Sequence, residues 1–175
     1  CDVGTYGSSK GTCDTCPTGQ YQDTKGQSKC VECAKGEKYI NPKTSCSGCD
    51  LGKYGSSKGN CTACPIGQYQ DGKGETSCKA CGVDTYSQEP GKSSNADCTS
   101  CSADRSTGTV KGNTDESACL CKRTDYYQNE DNKCEKCPDG ASCSTNGIKL
   151  FELGANPGYW RSSTNTTYFK DCRSS

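Results

Sequence analysis

Residues 1–30 read CDVGTYGSSKGTCDTCPTGQYQDTKGQSKC, and residues 49–78 read CDLGKYGSSKGNCTACPIGQYQDGKGETSC, with 20 of 30 positions identical at an offset of 48. Such identity marks a duplication and must be read before any strand or helix is assigned. Inside each copy lies a finer unit of about 15 residues: C-x-x-G-x-Y, a polar Gly/Lys/Ser loop, then C-x-x-C opening the next unit. Units open at Cys1, Cys16, Cys33, Cys49, Cys64, Cys81, Cys101 and Cys121. Gly stands three residues after the opening Cys at Gly4, Gly19, Gly36, Gly52 and Gly67, where a tight turn needs positive φ. Tyr follows at Tyr6, Tyr21, Tyr54, Tyr69, Tyr86 and Tyr126, and one position later at Tyr39, so each ring is expected to cover a disulfide as a one-residue core.

Composition explains why a cross-link is needed. The chain has 19 Cys and 21 Gly in 175 residues, no His or Met, and a single Trp, Trp160. Ordering a residue costs roughly 1.5 kcal/mol, and apolar burial returning about 25 cal/mol/Å² must offset it. Small polar residues cannot supply that area, so the chain is a disulfide scaffold that requires an oxidising compartment. Units that touch only their neighbours stack in series. The expected fold is therefore small and disulfide-rich, an elongated tandem array of short β-ribbon and turn modules with little helix.

Lys and Arg number 21 and Asp and Glu number 21, without long blocks of one sign, so no field is built for nucleic acid or an anionic membrane. No run approaches the roughly 20 apolar residues that span a bilayer. Signal sequence and start Met are absent, and the Cys count is odd, so the chain reads as a segment of something longer or a subunit linked to others.

Seven C-x-x-C pairs raise the alternatives of zinc and thiol redox chemistry. An unbroken series of pairs with no His and no basic surface disfavours zinc ribbons. A redox dithiol needs a helix N-terminus in a βαβ setting, which this pattern lacks. Joining the second Cys of each pair to the first of the next instead gives Cys1–Cys13, Cys16–Cys30, Cys33–Cys46, Cys49–Cys61, Cys64–Cys78, Cys81–Cys98, Cys101–Cys119 and Cys121–Cys134. Interleaved pairing, as in epidermal growth factor modules, is the rival. Cys137, Cys143 and Cys172 are left unassigned, with Cys172 the candidate for the odd sulfur.

Three sections follow from these patterns. Residues 1–97 hold the tandem repeats. Residues 98–133 form a transition with longer loops and C-x-C at Cys119 and Cys121. Residues 134–175 form a distinct cysteine module in which Ile148, Leu150, Phe151, Leu153, Tyr159, Trp160, Tyr168 and Phe169 could build a small aromatic core.

The segments Cys16-Pro17-Thr18-Gly19-Gln20-Tyr21 and Cys64-Pro65-Ile66-Gly67-Gln68-Tyr69 resemble the cysteine-rich, ephrin-receptor-like modules of growth-factor-receptor type. The stretch CTSCSADRSTGTVKGNTDESACLCKRTDYY is similar to the same receptors' section, although Ser102 stands where Pro is common and Asp125 where Gly is common. The C-terminal C-P-x-G-A-x-C with a later G-Y-W-R resembles modules that follow such repeats in large surface proteins of protists and algae. The resemblance implies an EGF-like or ephrin-receptor-like architecture and an extracellular or cell-surface location. It does not choose among spacers, adhesive stalks and receptor stems.

Other sites are few. Asn165-Thr166-Thr167 and Asn60-Cys61-Thr62 are N-glycan acceptor sequons, Asn165 the better placed because Asn60 abuts a half-cystine, and Ser/Thr loops offer O-glycan acceptors. Asp125, Asn129, Glu130, Asp131 and Asn132 group hard oxygen ligands that suit calcium, but their spacing matches no calcium loop and a solvated acidic turn is the simpler reading. There is no His, no nucleophile with a base and no enclosed carboxylate pair, so no enzyme, catalytic residue, metal or cofactor is expected. The expected function is a structural extracellular glycoprotein of a coat, a flagellar-hair-type appendage or a fibril, partnered by copies of itself or sister subunits. The alternative is the stalk and binding module of a receptor or adhesion ectodomain.

Overall fold

The computed structural model describes residues 1–9 and 11–173. They form ten two-stranded antiparallel ribbons and three single 3₁₀ turns at Asn95–Asp97, Glu116–Ala118 and Leu150–Glu152, with no α-helix among them. Each ribbon is one repeat unit. In the first, Thr5–Gly7 pairs with Cys13–Thr15; in the third, Glu37–Ile40 pairs with Ser45–Gly48; in the last, Tyr159–Trp160 pairs with Lys170–Asp171. The strands are too short to stand alone, since an isolated hairpin is marginal in water, so each needs a closure of its own.

Backbone closure recurs without interruption. The N–H of the residue that starts a unit donates to the carbonyl of the preceding unit's turn: Cys16 to Gly4, Cys33 to Gly19, Cys49 to Gly36, Cys64 to Gly52 and Cys81 to Gly67. The series continues from Cys101 to Asp84, from Lys122, one residue past the opening Cys121, to Asp104, and from Cys137 to Asp125, Asn156 to Gly140 and Cys172 to Gly158, all at 2.7–3.0 Å.

The chain forms two compact units, Cys1–Cys81 with Ser87–Cys98, and Gly82–Tyr86 with Thr99–Ser175. In the first, successive ribbons are registered by main-chain bonds. Gly4 N–H donates to Gln22 O, Gly36 to Gly55 O and Gly52 to Gln70 O, while Gly74 N–H returns to Cys49 O and Gly91 to Cys64 O. In the second, Thr124 N–H donates to Cys143 O, Gln128 to Ile148 O and Gly147 to Cys121 O. Backbone so close to backbone requires glycine. At Gly52, φ is +74° and an added Cβ would fall 2.2 Å from Gly91 O, and Gly36 would meet Gly74 O at 2.1 Å.

The deepest side chains of the repeats are opening half-cystines rather than tyrosines. Cys16, Cys33, Cys49, Cys64, Cys81 and Cys121 are at most 1 % exposed, whereas Tyr6, Tyr21, Tyr39, Tyr54, Tyr69, Tyr86 and Tyr126 are half-buried. This corrects the expectation that the rings form the core. Each of these rings keeps part of its surface in solvent. Only Tyr127, the second of its pair, is buried.

A conventional core does form in the second unit, and it mixes aliphatic, aromatic and cystine side chains: Tyr127, Ala141, Cys143, Ile148, Leu153 and Phe169. Leu150 is partly buried against it, while Phe151, Tyr159, Trp160 and Tyr168 are exposed, so half of the aromatic and aliphatic set expected there lies outside. Leu153 and Phe169 each stand three residues before a unit start, at Asn156 and Cys172, where earlier units place the closing half-cystine. Side-chain burial there does the work of a cross-ribbon disulfide.

Two glycines with the same left-handed backbone separate packing from conformational cost. Gly26 has φ of +75° and open space around it, so Gly26→Ala is expected to cost about 1–2 kcal/mol from the backbone alone. Gly52→Ala adds a collision with main chain and is expected to cost at least twice as much, read from urea midpoints of the oxidised proteins. Equal losses would contradict the backbone packing described.

Candidate functional site

The disulfides are the chemical feature that dominates the chain. The structure joins Cys1–Cys13, Cys16–Cys30, Cys33–Cys46, Cys49–Cys61, Cys64–Cys78, Cys81–Cys98, Cys101–Cys119 and Cys121–Cys134, each closing a separation of 12–18 residues. Cys137 pairs with Cys143 across six residues, and Cys172 is free and exposed. Asp171 opposes Tyr159 as Thr15 opposes Thr5, so Cys172 follows its ribbon as Cys16 follows the first. Its N–H bond to Gly158 O completes the likeness to an opening half-cystine.

Loop closure is shared with buried polar side chains that the cysteine pattern hides. Gln70 is 2 % exposed; its Nε2 donates to Ser77 O at 2.5 Å and its Oε1 accepts the Gly72 N–H at 2.9 Å. Gln22 does the same with Lys29 O and the Thr24 N–H. Ser87 and Thr107, six residues after Cys81 and Cys101, hold their loops by donating to Glu89 O and Val110 O. A buried amide that satisfies both ends of a loop avoids the penalty of unpaired main-chain groups. The signal for the two glutamines was the tetrapeptide QYQD, identical at 20–23 and 68–71.

Where the turn glycine is missing, other residues take its conformation. Asp84 has φ of +58° and Thr124 +74°. The Asp84 carboxylate accepts the Ser106 hydroxyl at 2.7 Å and the Thr107 N–H at 2.9 Å, and the Asp84 N–H donates to Thr107 Oγ1 at 2.8 Å. The Ser106 hydroxyl first, then the Thr107 N–H, hold its carboxyl below the ordinary carboxylate value.

The acidic group singled out for calcium is a turn. Asn129 Oδ1 accepts the N–H groups of Asp131 and Lys133, and Asn132 adopts φ of +59°. Asp125, Glu130, Asp131 and Asn132 are exposed, and the described residues bring together no group of three or more His, Cys, Asp or Glu side chains that could hold a metal ion.

Of the two sequons, Asn60 begins the strand Asn60–Ala63 beside the Cys49–Cys61 bond. Asn165 sits in an exposed turn in which its N–H donates to Ser163 Oγ at 3.3 Å and the Thr166 N–H reaches Ser163 O at 3.4 Å. Asn165 also lines a cavity of about 290 Å³ with Gln128, Asn129, Glu130, Asn132, Lys149, Leu150 and Phe151. No helix among the described residues is long and apolar enough to cross a membrane.

The Asp84 contacts carry a pH dependence. A carboxyl held below its ordinary value contributes stability that is complete above that value and lost as pH falls through the lower folded one. Asp84→Gly keeps positive φ accessible and removes the carboxylate, so it is expected to cost about 1.5 kcal/mol at pH 7. That gap is expected to narrow below about pH 4 in urea titrations run at several pH values. A gap independent of pH would contradict the carboxylate's role.

Comparison with curated proteins finds no match. A family model described as tyrosine-protein kinase ephrin type A/B receptor-like matches residues 4–45 and 52–98, a little over half of the chain. Those spans hold three of the cystine-closed ribbons whole, Cys16–Cys30, Cys64–Cys78 and Cys81–Cys98, with the buried turn glycines and both glutamine clasps. Modules of this kind are typically non-catalytic, and their many disulfides fit an extracellular setting. With the same closure repeated through both matched stretches, the chain belongs to the ephrin-receptor-like family of cysteine-rich modules.

Proposed function

We propose that this chain is a structural extracellular glycoprotein segment that builds a cell-surface coat, a flagellar-hair-type appendage or a fibril with copies of itself or with sister subunits. The observation that carries the reading is the coupling of successive ribbons through main-chain bonds, most visibly in the duplicated stretch 1–30 and 49–78. Coupling of that kind is indifferent to surface side chains, so it tolerates repetition and leaves the outward faces free for assembly. Residues 1–97, 98–133 and 134–175 serve in this reading as repeat array, transition and terminal module. Asn165, and second to it Asn60, which adjoins the Cys49–Cys61 bond, carry N-linked sugars, and the Ser/Thr loops offer O-linked sites. Cys172, exposed and placed as an opening half-cystine, is the sulfur available for a bond outside residues 1–175.

A second reading, a stalk with a binding module of a receptor or adhesion ectodomain, is favoured by one feature. Phe151, Tyr159, Trp160 and Tyr168 are 36–70 % exposed in the terminal module, an aromatic surface suited to recognition.

The two readings separate by electron microscopy and sizing of the protein secreted from a eukaryotic host and kept non-reducing. The structural reading expects fibres, sheets or large linked oligomers. A monodisperse monomer that neither associates nor forms mixed disulfides would contradict it and leave the receptor reading.

A further inference from the structure

We propose that the cavity beside Asn165 is the seat of that residue's own glycan, with the innermost N-acetylglucosamine packed against Phe151. The proposal rests on the reading of Asn165 as a glycan acceptor and adds where the sugar lies. Phe151 is 56 % exposed, and with Leu150 it provides the apolar side of the cavity. Gln128 and Asn132 provide amides on the polar side. Gln128 Nε2 donates to Asn132 Oδ1 at 3.3 Å, which leaves Gln128 Oε1 as an acceptor and Asn132 Nδ2 as a donor for a ligand. A pyranose ring has this division of character, an apolar C–H face and a rim of hydroxyl and acetamido groups. The volume of about 290 Å³ lies at the bottom of the roughly 300–1,000 Å³ range of small-molecule sites, a size for one sugar rather than an extended ligand.

What fixes the acceptor relative to the ring is Arg161. Its Nη1 donates to Leu150 O at 3.0 Å and to Thr164 O at 3.3 Å, and its Nη2 donates to Phe151 O at 3.1 Å. One guanidinium thus ties the turn that carries Phe151 to the turn that carries Asn165. The guanidinium is itself held 5.3 Å above the buried Phe169 ring. A sugar bonded to Asn165 is then tethered at the cavity's edge at high effective concentration, and a weak stacking contact suffices to seat it. Phe151 gains the cover that its exposure in the bare protein lacks.

The test uses the full chain secreted from a glycosylating eukaryotic host, with Asn60→Gln to leave one sequon. Three samples are compared by amide hydrogen exchange under non-reducing conditions: Asn165 trimmed by an endoglycosidase to a single N-acetylglucosamine, Thr167→Ala without a glycan, and Phe151→Ala with the single sugar. The single sugar is expected to slow exchange in residues 150–152 by about three- to tenfold relative to Thr167→Ala, and Phe151→Ala to abolish that protection with the sugar still attached. Intact mass reports occupancy separately. An unoccupied Asn165 overturns the glycan reading and the seat with it. An occupied Asn165 with unchanged exchange in residues 150–152, or protection that survives Phe151→Ala, overturns the seat alone.

Discussion

Each unit of this chain must close upon itself with almost nothing apolar to bury, and the opening half-cystine is where that closure happens. Its sulfur bonds across the ribbon and its N–H bonds to the preceding turn, as at Cys16, Cys33, Cys49, Cys64 and Cys81. In the chain-entropy account a loop of this length gains roughly 3 kcal/mol from its cross-link, a large share of what so small a unit can hold. The sulfur is also the buried volume around which the turn glycine and the next ribbon pack. Covalent closure and core are the same atoms.

Main-chain bonds between neighbours follow from that economy. With Gly36 against Gly74 and Gly52 against Gly91, the ribbons approach too closely for side chains to intervene. The side chains that do matter inside satisfy loops, as Gln22 and Gln70 do, or replace a turn glycine, as Asp84 does. Toward the C-terminus the solution changes while the backbone scheme persists. Leu153 and Phe169 occupy the places of closing half-cystines and join Tyr127, Ala141 and Ile148 in a small core, and Cys143 turns to Cys137 instead. Phe151, Tyr159, Trp160 and Tyr168 stay exposed in the same module.

Much of the ribbon architecture was legible in the cysteine pattern, because an unbroken series of C-x-x-C pairs in a chain without His and with little apolar side chain points to cross-links between neighbouring pairs. The duplicated glycines were legible too, since φ near +75° is a backbone demand visible in one residue type. The tyrosines misled because aromatic character alone does not fix depth: the opening half-cystines Cys16, Cys33, Cys49, Cys64 and Cys81 are at most 1 % exposed while the rings stay half-buried. Gln70 was hidden because a polar residue reads as surface unless its partners are known, although QYQD in both copies was a clue. Leu153 and Phe169 could not be aligned to the repeat from sequence, since the feature that defines the repeat, the Cys, is what they lack. The place of Asn165 beside Phe151 depends on Arg161, whose three carbonyl contacts leave no mark in spacing.

The central claim is that cross-links rather than a core hold the repeats. Hydrogen exchange along residues 1–136, measured in native buffer before and after complete reduction with thiol alkylation, tests it most directly. The account predicts that ribbon amides such as those of Cys33, Cys49 and Cys64 lose protection throughout this stretch and exchange at unfolded-chain rates. Protection retained there after all sixteen sulfurs of the eight ribbon disulfides are reduced would contradict it.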